Sequence, residues 1–262
     1  MTKLPAITLT FWIMKIAATT LGETGGDAIA QTLNLGYLAS SVIFIALFGV
    51  ALTIQLRADR FHPVAFWMVV LTTSTAGTTI SDFMNRTLAL GYATGALVLT
   101  ACLLVVFLVW QFSGQTFNVE RIRSFRGEVL YWLATLISNT LGTSSGDWLA
   151  HDTGLGFATS TVVITGALGL VVAAHYLTPL PTPLLFWLAY VLTRPFGANA
   201  GNSLSKPTDE GGLGLGTFGA SALLAAVLVG FLIHQTVRRR RDAAEGISAP
   251  RRAGSAAKRT RR

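Results

Sequence analysis

Cysteine and charge are what this chain of 262 residues has least of. Its single cysteine, Cys102, excludes an internal disulfide and a thiolate metal cluster, and its place in an apolar run reads as packing. Charged residues make up 12% of the chain against 52% hydrophobic, too few for an ordinary water-facing surface. Also missing are a phosphate-binding loop, a nucleophile elbow, zinc-type Cys/His spacing and a dinucleotide fingerprint. The chain is therefore expected to be no enzyme and to carry no cofactor.

What is present instead is long apolar sequence. Runs such as "ASSVIFIALFGVALTIQL" and "ALVLTACLLVVFLVWQF" approach the roughly 20 residues that cross a bilayer core, so a polytopic membrane protein is expected. Near the N-terminus Lys15 interrupts the first such run, which argues against a cleaved signal peptide. The net charge of +8 is all in the tail: from Arg238 onward stand ten Lys/Arg and two Asp/Glu, which leaves the rest of the chain balanced. Residues 237–262 are expected to be a disordered, basic, cytoplasmic segment lying against anionic lipid, with nucleic acid a poor second partner.

The chain repeats itself four times. Phe11-Trp12 is followed by Gly22 and Asp27, Phe66-Trp67 by Gly77 and Asp82, Tyr131-Trp132 by Gly142 and Asp147, and Phe186-Trp187 by Gly197 and Asn202, always at the same spacing. The first three copies run on into "LNLGY", "LALGY" or "TGLGF", while the fourth inserts "KPTDEGG" before "LGLGT". Repeats are placed at about 5–60, 61–115, 126–180 and 181–236, together a transmembrane domain over 1–236.

Each repeat has room for two spans, giving about eight helices near 6–28, 36–56, 64–84, 91–112, 128–149, 155–175, 183–204 and 215–236. The fold class expected is an all-α polytopic membrane protein of four parallel two-helix repeats, in a pseudo-fourfold or two-plus-two arrangement. Arg57, Arg60, Arg121, Arg123 and Arg126 follow the even spans, on the side of Lys3 and the basic tail. The opposite loops carry Arg86, Asp152, Lys206, Asp209 and Glu210. Both termini are then cytoplasmic, in a cell inner (plasma) membrane.

Positions four apart share one helix face. Stepping by four from each first aromatic gives Lys15, Thr19, Glu23 and Asp27; Val70, Ser74, Thr78 and Asp82; Thr135, Asn139, Thr143 and Asp147; and Tyr190, Arg194, Ala198 and Asn202. Polar groups at membrane depth are costly against lipid, so the odd helices should face inward and the even ones outward. Glu23, Asp27, Asp82 and Asp147 are the candidate acids of a shared polar interior, with Lys15 and Arg194 as compensating bases and Asn202, Asn139, Thr78 and Thr143 as further ligands. His151, one turn beyond Asp147, is a secondary candidate, and a kink is expected at Pro195. The Phe/Tyr-Trp pairs read as aromatic belt anchors at the interface.

The segments "TLGETGGD", "TAGTTISD", "TLGTSSGD" and "PFGANAGN", each followed by a Leu-Gly-aromatic element or its remnant, resemble a bacterial repeat family of uncharacterised membrane-anchored proteins over residues 5 to about 236. That resemblance implies a membrane location and no particular activity. "ETGGD" is also similar to the Glu-x-Gly-Asp motifs of a separate family of manganese and calcium exporters, in one repeat only and with one extra residue.

The leading functional expectation is a transporter or channel for a small cation. Four acids against two bases leave an excess of two negative charges, which a hard divalent metal held by Glu23, Asp27, Asp82 and Asp147, or two protons, would balance. The alternatives are a proton-coupled carrier of a small solute, with the same Asp residues as proton sites, and a non-transporting membrane scaffold or sensor.

Overall fold

A computed structural model of the chain describes residues 4–248. Among the described residues it contains eight α-helices: α1 Leu9–Asp27, α2 Tyr37–Arg57, α3 Pro63–Asp82, α4 Tyr92–Phe112, α5 Phe125–Asp147, α6 Gly156–Leu177, α7 Thr182–Ser205 and α8 Gly216–Ser248. Each matches an expected span to within three residues at every end except the last. There α8 continues to Ser248, so the first part of the stretch expected as a disordered tail is helical; residues 249–262 lie outside the described residues.

Helix starts follow local chemistry. The Thr8 hydroxyl accepts from the Phe11 amide at the head of α1, and the Ser124 hydroxyl from the Gly127 amide at the head of α5. Pro63 opens α3, where its missing N–H costs nothing. The Leu-Gly-aromatic element is the turn that joins the two helices of each repeat. It needs left-handed backbone twice, at Asn34, Ala89, Gly154 and Gly214, and again at Gly36, Gly91, Gly156 and Gly216.

Five stretches are long and apolar enough to cross a membrane: α2, α4, α6, residues 216–237 of α8, and α3 with the turn that follows it. Together with the four repeats they mark a membrane protein. α1, α5 and α7 fall short because their polar stripes dilute the apolar run. In α3, 72% of the apolar stretch is buried within the protein, against 11% in α8 and 17% in α2 and α6, so the odd helices are inside and the even ones outside.

Packing is cyclic. α1 packs on α3, α3 on α5, α5 on α7 and α7 on α1, while α2 covers α3, α4 covers α5, α6 covers α7 and α8 returns to cover α1. Each outer helix therefore sits on the inner helix of the next repeat. The motif glycines set how closely the inner helices approach. A Cβ on Gly22 would lie 2.5 Å from Ser74 Oγ, one on Gly77 2.9 Å from the Asn139 backbone, and one on Gly197 2.6 Å from Thr19 Oγ1, while one on Gly142 would overlap the Arg194 side chain. These contacts run from one repeat to the next and close on the first.

Immediately after Asp27, Asp82 and Asp147 the helix widens into one π turn, at Ala28–Thr32, Phe83–Thr87 and Trp148–Asp152. The fourth repeat differs: α7 stays α-helical past Asn202, runs through Pro195 as a single helix, and ends before the inserted loop.

Candidate functional site

The inner faces of α1, α3, α5 and α7 stack polar residues in levels along the axis of the bundle. At the level nearest the starts of these helices the Phe/Tyr-Trp pairs are not lipid-facing anchors. Phe11, Phe66, Tyr131, Trp67, Trp132 and Trp187 are buried, and the rings close a cycle: Phe11 on Trp67 at 5.8 Å, Phe66 on Trp132 at 5.5 Å, Tyr131 on Trp187 at 5.9 Å and Phe186 on Trp12 at 5.7 Å. The belt reading is corrected because the first ring of each repeat finds the Trp of the next, which burial favours more than an interface does.

One turn further stands Lys15, fully buried. Its Nζ donates to Asn139 Oδ1 at 3.4 Å and lies 4.1 Å from the centre of the Tyr190 ring. The Tyr190 hydroxyl meets those of Tyr131 and Thr135 at 3.5 and 3.3 Å. Among the described residues Lys15 has no carboxylate partner, so the expectation that it compensates the acidic cluster directly is corrected. It faces across the axis toward α5 rather than up its own helix toward Glu23.

Arg194 does the compensating. Its guanidinium crosses from α7, where Nη1 donates to the Thr19 carbonyl at 3.0 Å and Nη2 to Thr143 Oγ1 at 2.8 Å, to the Ser74 carbonyl at 3.3 Å and to the Thr78 hydroxyl. The same Nη2 pairs with Glu23 Oε2 at 3.1 Å, both side chains being almost wholly buried. Glu23 Oε2 also accepts from Thr78 at 3.1 Å and Thr143 at 3.4 Å, and Oε1 from Asn202 Nδ2 at 3.3 Å. Every inner helix thus contributes to one closed knot on the axis.

Asp27, Asp82 and Asp147 lie one turn beyond, toward the other end. Asp27 Oδ1 accepts from Gln31 Nε2 at 2.5 Å. Arg86 Nε lies 3.0 Å from Asp82 Oδ1 and Arg86 Nη2 3.6 Å from Asp147 Oδ2, so this side chain bridges two repeats. Arg86 also covers the rings of Tyr37 and Tyr92, at 5.9 and 5.7 Å. Lys206 Nζ donates to Gln31 Oε1 at 3.4 Å. His151 stacks on Tyr92 at 5.7 Å and meets Phe157 edge-on; burial by that packing, then the positive Arg86, push its imidazole below its ordinary value. It touches none of the three aspartates.

The carboxylates do not converge on a metal: among the described residues no three His, Cys, Asp or Glu side chains could hold one. The set of Glu23, Asp27, Asp82 and Asp147 expected as metal ligands is broken up, because Arg194 claims Glu23, Gln31 claims Asp27 and Arg86 lies across Asp82 and Asp147. The sequence pattern places Arg86 in a loop, whereas the structure brings it into the site on the π turn after Asp82. As a third base it reduces the expected excess of two negative charges to one. The signal was one further step of four along the stripe, from Asp82 to Arg86.

Four stretches of the chain, residues 10–61, 65–116, 130–179 and 185–241, match the repeat described as Repeat of Unknown Function (DUF347). No curated protein and no solved structure matches the chain.

Proposed function

Since the chain belongs to the DUF347 repeat family, whose description assigns no function, we propose from geometry alone that it is a proton-coupled membrane transporter for a small solute. In this reading all eight helices cross the inner membrane in a pseudo-fourfold bundle, both termini are cytoplasmic, and the small cation that moves is the proton. A hard divalent metal fits less well, because the carboxylates it would need are already engaged, Glu23 by Arg194, Asp27 by Gln31, and Asp82 and Asp147 by Arg86.

One observation carries the reading: the buried Arg194–Glu23 pair touches all four inner helices at mid-axis. Desolvating two charges costs more than packing apolar side chains in the same place, so stability alone gives no reason for the pair. Its partners are hydroxyls and carbonyls from different repeats, which can exchange as the repeats shift. A proton arriving on Glu23 from the aspartate level would release Arg194 and loosen the knot. The aromatic cycle closes the axis on the cytoplasmic side, while the aspartates and the partly exposed Arg86 face the outside.

The test is proton movement in liposomes that carry a pH-sensitive dye and the purified full chain. Acidification driven by an imposed pH gradient or by a solute gradient, above that of empty liposomes, supports the transporter. Intact protein with no flux across a broad solute panel points to the scaffold.

A further inference from the structure

Buried polar atoms without a hydrogen-bond partner among the described residues lie on both sides of the knot. On the outer side of the knot, Oδ1 of Asp147 and Oδ1 of Asn202 are buried acceptors without a hydrogen-bond partner among the described residues, while Asp82 Oδ1 and Asp147 Oδ2 face Arg86. On the inner side such atoms include donors. Asn139 Nδ2 and Arg194 Nε are buried without a partner, and so is the Ser74 hydroxyl. Lys15 is 0% exposed and directs its ammonium to one long bond with Asn139 and to the face of Tyr190.

A buried ammonium with no carboxylate is costly, and a merely structural lysine at this depth would be expected to have one. The acids of the polar stripe, Glu23, Asp27, Asp82 and Asp147, stand at or beyond the Arg194 guanidinium, and the buried Glu128 of α5 accepts from Gln55. We infer that the inner half of the axis is a binding site for a small carboxylate, whose oxygens complete the donors of Lys15, Asn139 and Arg194. This deepens the transport reading by naming the class of the carried solute, and it rests on that reading for the solute being carried.

The choice of a carboxylate follows from the placement of the donors. Asn139 and Arg194 stand on one level of the stripe and Lys15 one turn below, from which its ammonium reaches to 3.4 Å from Asn139 Oδ1. Two oxygens on one planar group can serve both levels, whereas a halide offers a single point. The aromatic cycle beneath Lys15 excludes water from that side, which strengthens charge pairing within the site. Arg194 is then shared: Nη2 holds Glu23 in the knot, and Nε faces the solute. Binding and release of the carboxylate would bear directly on the group that the proton has to free.

The experiment is thermal melting of the purified full chain in detergent, titrated with sodium acetate, sodium lactate or sodium chloride at ionic strength held constant with the bulky sulfonate HEPES. A saturable rise in Tm with acetate or lactate and none with chloride is expected, with apparent affinity at least about tenfold weaker in Lys15→Met. A second variant covers the case in which Lys15→Met fails to fold. Asn139→Asp places an internal carboxylate beside Lys15 and should raise Tm without any added anion and remove the response to acetate. No response of the parent to either carboxylate, or an undiminished response in Asn139→Asp, would overturn the site. A response to chloride equal to that with acetate would overturn the carboxylate assignment. The two readings fail separately: proton flux without carboxylate binding removes this site and leaves the transporter, while carboxylate binding without flux does the reverse.

Discussion

Arg194 Nη2 of the seventh helix lies 3.1 Å from Glu23 Oε2 of the first, and the pair ties the last repeat to the first across the axis. Removing one member leaves a buried charge unpaired, at a cost of about 3–5 kcal/mol. Glu23→Gln and Arg194→Met should each lower the melting temperature markedly. The double variant should recover much of the loss, giving a strong coupling in a double-mutant cycle. Lys15→Met combined with Glu23→Gln should instead be nearly additive, since Lys15 contacts Asn139 and Tyr190. Strong Lys15–Glu23 coupling with weak Arg194–Glu23 coupling would contradict the arrangement.

The glycines offer a test of the cyclic packing. Gly77→Ala puts a methyl 2.9 Å from the Asn139 backbone, which no side-chain rotation relieves, and should cost about 1–3 kcal/mol. At Gly25 and Gly49 an added methyl would meet nothing within 4 Å, so alanine there should be neutral or stabilise by up to about 1 kcal/mol through helix propensity. Detergent melting of the three variants separates them, and equal effects would argue against close contact at Gly77.

Ala89 holds a left-handed conformation, φ 55°, at a turn position that is glycine in the third and fourth repeats. An L-residue there carries roughly 1–2 kcal/mol of strain, partly offset by the chain entropy that glycine loses on folding. Ala89→Gly should therefore stabilise by up to about 1 kcal/mol. A loss of stability in the same melting assay would count against the shared turn.

Much of this architecture is legible in the chain, and the reasons are local. The constant spacing from Phe11 to Gly22 to Asp27 and its three copies locates the inner helices, and the step of four picks out the residues that meet on the axis. Which residues pair is not legible, because it depends on how far each helix is rotated and on which helix lies opposite. Lys15 and Glu23 share a face of α1, yet Lys15 reaches Asn139 on α5 while Glu23 takes Arg194 from α7. Arg86 was hidden for a different reason. "NRTLALGY" reads as loop, whereas a π turn carries the stripe beyond Asp82 and brings Arg86 back over the aspartates. The aromatic pairs carry the same ambiguity in sequence, since a ring suited to an interface is equally suited to a buried cycle.

The proposed topology predicts that reporter fusions after Arg57 and Arg121 show a cytoplasmic location, and that fusions near Thr87, Thr153 and Asp209 show an external one. All three external points lie in turns that join the two helices of a repeat. A cytoplasmic signal at Thr87 together with an external one at Arg57 would invert the bundle and place the aspartates inside the cell.

The most direct test of proton-coupled transport is flux through aspartate variants that still fold. Asp82→Asn and Asp147→Asn remove the two carboxylates that Arg86 bridges while keeping their size, and their liposome proton flux should fall at least about tenfold relative to the parent, a rate loss worth roughly 1.4 kcal/mol. Elution on size exclusion should be unchanged. Parent-level flux in the two folded variants would contradict transport through this axis.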